Sequence, residues 1–217
     1  MTTTLDRPTE TVTRATVAGA DFLDLATAGI FASRDQARPA INVIHFTTDA
    51  SDLTATATDS YRLVRITRPM LGISLPMDTE ALEVSVPLET VTAFAKTAKA
   101  GVTAKTPWSV TIEATEREVT LRAFANGVTY CQMTASTDCG QFPKVDQLIP
   151  EIDGIAAMPA LGFDPRLLAD VAKLAPWCNA KKGETAVAVM AHAAEASRAF
   201  VITGAGTLVL IMPVRIK

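Results

Sequence analysis

Ala57-Thr58-Asp59-Ser60-Tyr61-Arg62-Leu63 reads as a strand, a tight turn and a second strand. Working outward from it, Leu53 to Thr58 and Tyr61 to Thr67 are the two arms, and Ile41 to Thr47 is a third extended run before them. Upstream, Phe22, Leu25, Ala26, Gly29 and Ile30 fall at the i, i+3, i+4 spacing of a helix with one buried face, and Thr13 to Val17 is extended. The stretch therefore closes a unit of one strand, one amphipathic helix and three strands.

The same order recurs twice. In the second unit Leu82 to Val86 is extended, and Val91, Phe94, Ala95 and Ala98 carry the helical stripe. Strands follow at Trp108 to Ile112, Val119 to Ala123 and Val128 to Met133, the last two joined by Asn126-Gly127, a strong hairpin signal. In the third, Ala160 to Phe163 is extended and Leu167, Val171 and Leu174 mark a helix with Asp164 as N-cap and Pro165 at its first position. Thr185 to Met190, Arg198 to Ile202 and Leu208 to Pro213 follow, with a turn at Gly204 to Gly206. The units start roughly 70 to 75 residues apart, so they are expected as a structural repeat with low mutual identity. Pro69 to Glu80 and Glu151 to Pro159 are the expected linkers.

The chain has 217 residues, 48% of them hydrophobic, enough for one large domain or two small ones. No run of about 18 apolar residues exists, so no transmembrane helix is expected. Residues 1–12 are rich in Thr, lack an apolar core and read as a disordered tail, not a secretory signal. Cys131, Cys139 and Cys178 have no CxxC spacing, and His45 and His192 are the two histidines, a set that argues against structural zinc and fits free thiols in a reducing cytoplasm. A net charge of −3 excludes a general polyanion binder, though a local basic face is compatible with it. Phosphate-loop, dinucleotide, zinc-protease and serine-elbow motifs are absent, so neither catalysis nor a cofactor is expected. Asp21 and Asp24, three apart on a helix, read as solvated charges near its N-terminus.

Three segments together carry more than any one of them: Ala57 to Leu63, then Phe142-Pro143-Lys144-Val145-Asp146-Gln147-Leu148-Ile149-Pro150, then Leu210-Ile211-Met212-Pro213-Val214-Arg215-Ile216. With Ser33-Arg34-Asp35 to Arg38-Pro39-Ala40-Ile41 upstream, they resemble, in order, segments of the bacterial DNA polymerase III β subunit, the sliding clamp. Clamps usually have Gly-His where this chain has Ser60-Tyr61, and commonly Arg where it has Gln147. The resemblance runs from about Thr13 to Lys217. It implies an α+β, DNA-clamp-like fold of repeated β-α-β-β-β units, with helices on one face of antiparallel sheets. Residues 13–150 resemble the whole middle domain (units 13–68 and 82–136 plus the junction), and 151–217 resemble the C-terminal half of the last domain. A complete clamp subunit has six such units, so a closed ring of twelve would need four of these chains.

The resemblance implies a non-enzymatic replication processivity and scaffold protein of the bacterial cytoplasm, phage or plasmid coding being a further reading. Its partners would be DNA polymerase or other replication and repair proteins carrying a short linear motif. The implied groove is lined by Arg38, Ile41, Thr58, Ser60, Tyr61, Arg62, Leu63, Pro143, Gln147, Leu148, Leu210, Ile211, Met212, Pro213 and Arg215. Leu63, Leu148, Leu210 and Met212 would be its floor, and Arg38, Arg62 and the turn backbone its rim. As a homo-oligomer the chain would encircle double-stranded DNA without sequence specificity, with Lys96, Lys99, Lys105, Arg166, Lys173, Lys181 and Lys182 facing phosphates. The acidic pair of unit one disagrees with such a lining. The competing reading is a clamp mimic or decoy that binds clamp-interacting proteins without encircling DNA. A small-molecule-binding regulatory module is the third.

Overall fold

The computed structural model describes residues 12–71, 81–103, 105–149, 165–174, 189–192 and 199–212. Unit one is β1 (Thr13–Ala18), α1 (Gly19–Ala26), β2 (Val43–Asp49), β3 (Asp52–Thr58) and β4 (Arg62–Pro69). Unit two is β5 (Glu83–Pro87), α2 (Leu88–Ala100), β6 (Trp108–Ala114), β7 (Glu118–Ala125) and β8 (Val128–Ser136). Of unit three, α3 (Pro165–Val171), β9 (Val189–His192), β10 (Phe200–Gly204) and β11 (Thr207–Ile211) are described. The expected segment Ala160 to Phe163 and the expected cap Asp164 lie outside the described residues.

Strands β1 and β7 follow period-two burial, while β3 buries Ala55 to Thr58 in an unbroken run. In β7, for example, Val119, Leu121 and Ala123 are buried while Glu118, Thr120 and Arg122 are not. Both long helices bury one stripe, Phe22 and Leu25 in α1 and Leu88, Val91, Phe94 and Ala98 in α2. The stripes meet: Phe22 sets its ring edge-on to Phe94 at 5.4 Å and stacks toward Phe46 at 6.5 Å. Close approach is also why α1 starts on glycine, since a Cβ at Gly19 would fall 2.0 Å from Trp108 Cδ2. At the β7–β8 hairpin Asn126 (φ 52°) and Gly127 (φ 78°) both take the left-handed conformation that a two-residue turn needs.

Among the described residues two antiparallel sheets result, one ordered β1-β6-β7-β8 and the other β5-β2-β3-β4-β11-β10-β9. The first strand of each unit joins the sheet of the other: β1 pairs with β6, and β5 with β2. Units one and two are thus one interlocked body, and neither can close its sheet alone. Unit three attaches through β11, which pairs with β4 over Arg62–Ile66 and Thr207–Ile211. One seven-stranded sheet therefore crosses from the first unit into the third.

Several boundaries differ from expectation. The helix expected to carry Gly29 and Ile30 ends at Ala26, and Thr27–Ile30 form a 3-10 turn. Ile41 does not begin a strand; Pro39–Ile41 form a 3-10 turn and β2 starts at Val43, because Pro39 has a fixed φ and no N–H to give a ladder. The described part of the expected Thr185 to Met190 strand starts at Val189 and continues to His192, pairing with β10.

Candidate functional site

The β3–β4 turn is held by its own side chains. Thr58 Oγ1 donates to the Arg62 carbonyl (2.8 Å) and accepts from the Ser60 amide (3.1 Å), while Asp59 Oδ1 accepts from the Tyr61 and Arg62 amides (3.0 and 3.1 Å). Ser60 has φ 80°, a left-handed conformation that costs a residue with a Cβ about 1–2 kcal/mol. This is the position where clamps usually carry glycine. The Arg38 guanidinium donates to Ser60 Oγ at 2.5 Å, so the serine gains a contact that glycine could not make.

Alternation along β4 and β11 splits the seam into two faces. On one, the Arg62 side chain is only 10% exposed. Its Nε meets Asp59 (2.9 Å), Nη1 meets Asp170 of α3 (2.6 Å), Nη2 donates to the Ile30 carbonyl (3.1 Å), and its carbon lies 4.6 Å over the Phe31 ring. Asp170 also pairs with Lys173, and the contacts of its carboxylate with Lys173 and then Arg62 hold it below the usual carboxylate range. Arg62 thus rivets three segments together and has no donor nitrogen left over for a rim.

The opposite face is apolar. Leu63 and Leu210 sit opposite each other across the β4–β11 ladder, each 3% exposed, in a cluster with Val145, Ala199 and Val201. Phe142 and Ile149 pack against it. The segment between β8 and Ile149 is strapped onto this face: Phe142 stacks on His45 at 4.6 Å, and Asp146 accepts from Arg65 at 2.6 Å. Burial pushes the His45 pKa below its ordinary 6.5, so the ring is neutral at pH 7; Nδ1 lies 3.0 Å from Ser85 Oγ. Beyond the buried pair, the Met212 amide donates to the Tyr61 carbonyl (3.0 Å), which makes these residues the next cross-strand pair on the Leu63/Leu210 face. Tyr61 is 68% exposed, Met212 43% and Leu148 57%.

The sequence-predicted residues therefore separate. Leu63, Leu210, Ile41, Ile211 and Thr58 are buried, and Arg62 is engaged inside the fold. Arg38, Ser60, Tyr61, Pro143, Gln147, Leu148 and Met212 are exposed, while Pro213 and Arg215 lie outside the described residues. Sequence reading missed His45, Phe142 and Arg65, whose contacts hold the strap; the Phe-Pro of the junction was the signal available for Phe142.

Among the residues expected to face DNA, Lys96, Lys99, Lys105, Arg166 and Lys173 are exposed, and Lys181 and Lys182 lie outside the described residues. Lys173 is paired with Asp170. Asp21 and Asp24 are not freely solvated: Arg68 of β4 reaches Asp24 at 3.1 Å and Asp21 at 3.8 Å, and burial first, with Asp24 adding, raises the Asp21 pKa. The helix turns both toward β4, where the arginine offsets their charge. No cluster of metal-ligating side chains and no helix long and apolar enough to cross a membrane occur among the described residues.

No protein-family model matches this sequence, and no curated protein does. Solved structures do. The chain is similar to the sliding clamp (DNA polymerase III subunit beta) from Bartonella birtlesii, bound to griselimycin, at 17% identity and a TM-score of 0.67, covering 99% of this chain and 69% of that one. It is similar to the sliding clamp from Pseudomonas aeruginosa at 14% identity and a TM-score of 0.69, over 97% and 69% of the two chains. The DNA polymerase III beta subunit from Thermotoga maritima gives 15% identity and 0.69, over 99% and 69%. The α+β fold is that of the bacterial sliding clamps, over about two thirds of their length.

Proposed function

We propose that this chain is a non-catalytic, sliding-clamp-like scaffold of DNA replication that holds short linear motifs of polymerase or other replication and repair proteins. The observation that carries this reading is the meeting of three distant segments on one face of the β4–β11 seam. There Tyr61, Leu148 and Met212 stay exposed beside a buried apolar cluster. Peptide recognition needs apolar anchors at the surface and polar groups at the rim that fix the ligand backbone. Arg38, Pro143 and Gln147 are exposed to serve as the rim, and Pro213 and Arg215 extend the same C-terminal segment. Leu63 and Leu210 support the site from beneath, as they are already covered by the strap.

A clamp-binding peptide is expected to bind with roughly micromolar affinity, about 8 kcal/mol. Met212→Ala and Leu148→Ala should each weaken it while leaving the melting temperature in place. Binding unchanged in both variants would remove the site assignment.

Encircling of DNA is the finer part of the proposal. Lys96, Lys99 and Lys105 supply exposed positive charge around α2. The competing mimic or decoy reading draws on Asp21 and Asp24, which give α1 an acidic flank beside Arg68. Retention on closed circular DNA that is lost on linearisation favours the ring; equal behaviour on both templates favours the decoy. Solution mass adds a second arm, because a twelve-unit ring requires four chains.

A further inference from the structure

Tyr61, Met212 and Leu148 are not held in place by the same means. Tyr61 and Met212 continue the β4–β11 ladder, and the bond from the Met212 amide to the Tyr61 carbonyl (3.0 Å) fixes one against the other. Leu148 belongs to the strap, which contains no strand. Its amide donates to the Val145 carbonyl (2.9 Å) and the Ile149 amide to that of Asp146 (3.1 Å), closing the 3-10 turn Asp146–Leu148. Those bonds shape the turn but do not set where it lies on the sheet. Side chains do that.

At one point Val145 enters the apolar cluster of Leu63 and Leu210. Beside that cluster the sheet offers the strap something different. The registers align Ser85, His45, Thr56 and Arg65 in one row across β5, β2, β3 and β4, and Arg65 shares a face with Leu63, two residues before it. The row is polar, yet Thr56 is buried and the His45 side chain largely so. The strap crosses it on two main contacts. The Phe142 ring lies parallel on the His45 ring at 4.6 Å, and Asp146 accepts from Arg65 at 2.6 Å. Phe142 immediately precedes Pro143, and Asp146 immediately precedes Gln147 and Leu148, so each contact sits next to exposed residues of the peptide site.

We propose that His45 and Arg65 are positioning residues of the peptide site, a role that rests on the peptide-site reading: they hold the strap where it sets Leu148 beside Tyr61 and Met212, and they make that placement sensitive to pH. Both act through the strap, and neither belongs to the exposed surface that takes the peptide.

The charged groups that face the His45 ring are Glu83 of β5, 3.6 Å from Nε2, Arg65 of β4 and Asp146 of the strap. Burial is the largest influence and lowers the pKa below 6.5; Glu83 and Asp146 pull the other way, and Arg65 adds to the lowering. Phe142 is part of the cover. When the strap lifts, the ring reaches water and its ordinary value returns. Between the lowered value and 6.5 the lifted form therefore holds a proton that the docked form does not. The preference for the docked strap is full above 6.5 and declines as pH falls below it. A site assembled in only a fraction of molecules binds more weakly by that fraction, so peptide affinity declines with the strap.

Two measurements on the full chain between about pH 7.5 and 5 test this: amide exchange corrected for its intrinsic pH dependence, and affinity for a clamp-binding peptide that contains no histidine. On acidification the Leu148 and Ile149 amides should lose protection while those of the β4–β11 ladder keep theirs. The peptide dissociation constant should rise about threefold or more over the same range. His45→Ala removes the ring from under Phe142 and should weaken binding about threefold to tenfold already at neutral pH. His45→Phe keeps a ring there that cannot take a proton, and should bind as the wild type does at neutral pH without the loss on acidification. Arg65→Ala should weaken binding about twofold to fivefold, and Arg65→Lys, which can still reach the carboxylate, should restore it. Affinity that is flat across the range, or that falls equally in His45→Phe, overturns the proposal, and so do strap amides that stay protected at about pH 5. A strap that opens on acidification in a chain that binds no peptide at any pH upholds the strap contacts and overturns the peptide site instead.

Discussion

The two faces of the β4–β11 seam are built from adjacent residues and do opposite things. Arg62 and its neighbours make a largely buried, polar rivet that ties the turn, the end of the first helix region and α3 together. One residue either way, Tyr61 and Leu63 look to the other face, with Leu210 and Met212 across the ladder, where an apolar cluster ends in an exposed lip. The difference teaches that a short motif need not have a single job. Alternation in a strand divides Ser60-Tyr61-Arg62-Leu63 between holding the fold and presenting a surface.

The largest effect that could break this division is at Arg62. Arg62→Ala leaves Asp59 half-buried without its arginine and Asp170 with Lys173 alone, and should cost about 3 kcal/mol in chemical denaturation. A loss within about 0.5 kcal/mol would mean that Arg62 behaves as a surface residue. Leu63→Ala empties part of the buried cluster and should cost about 2–4 kcal/mol. Peptide affinity measured on the fraction that remains folded should change less than stability does.

Met212→Ala and Tyr61→Ala are the converse. Both residues are exposed, so stability should stay within about 0.5 kcal/mol, while peptide affinity falls about tenfold or more if they are anchors. The strap adds a pH dependence. The His45 pKa is lowered by burial, so between that value and the ordinary 6.5 the unfolded chain holds a proton that the folded chain does not. Its stabilisation is present above 6.5 and lost as pH falls below it. Melting temperature should drop on acidification through that range in the wild type and drop less in His45→Gln. The smallest effect is at the turn. Ser60→Gly removes the left-handed strain but also the Arg38 contact, and should raise stability by under about 1 kcal/mol.

Much of the fold was legible because its signals are local. The helical stripes through Phe22 and Phe94, the Asn126-Gly127 turn and the alternation of β6 and β7 all follow from side-chain period and turn chemistry. The exchange of β1 and β5 between sheets was not legible, since pairing partners far apart in sequence leave no periodic trace. The same limit applies to the site. The described parts of the three motif segments meet at the β4–β11 seam, but a leucine in a strand gives no sign of which way the strap will cover it. Leu63 and Leu210 therefore read as groove floor and are core, and Arg62 reads as rim and is a rivet. Asp21 and Asp24 read as solvated because Arg68, their partner, lies more than forty positions away in the chain.

The central claim is that the Tyr61/Leu148/Met212 lip takes a peptide and the Arg62 face does not. Mapping amide and methyl shifts of the full chain during titration with a clamp-binding peptide tests it most directly. The account predicts saturable changes centred on Tyr61, Leu148 and Met212, fading through Leu63 and Leu210, with Ile30, Arg62 and Asp170 unmoved. Changes centred on the Arg62 face, or none up to millimolar peptide, would contradict it.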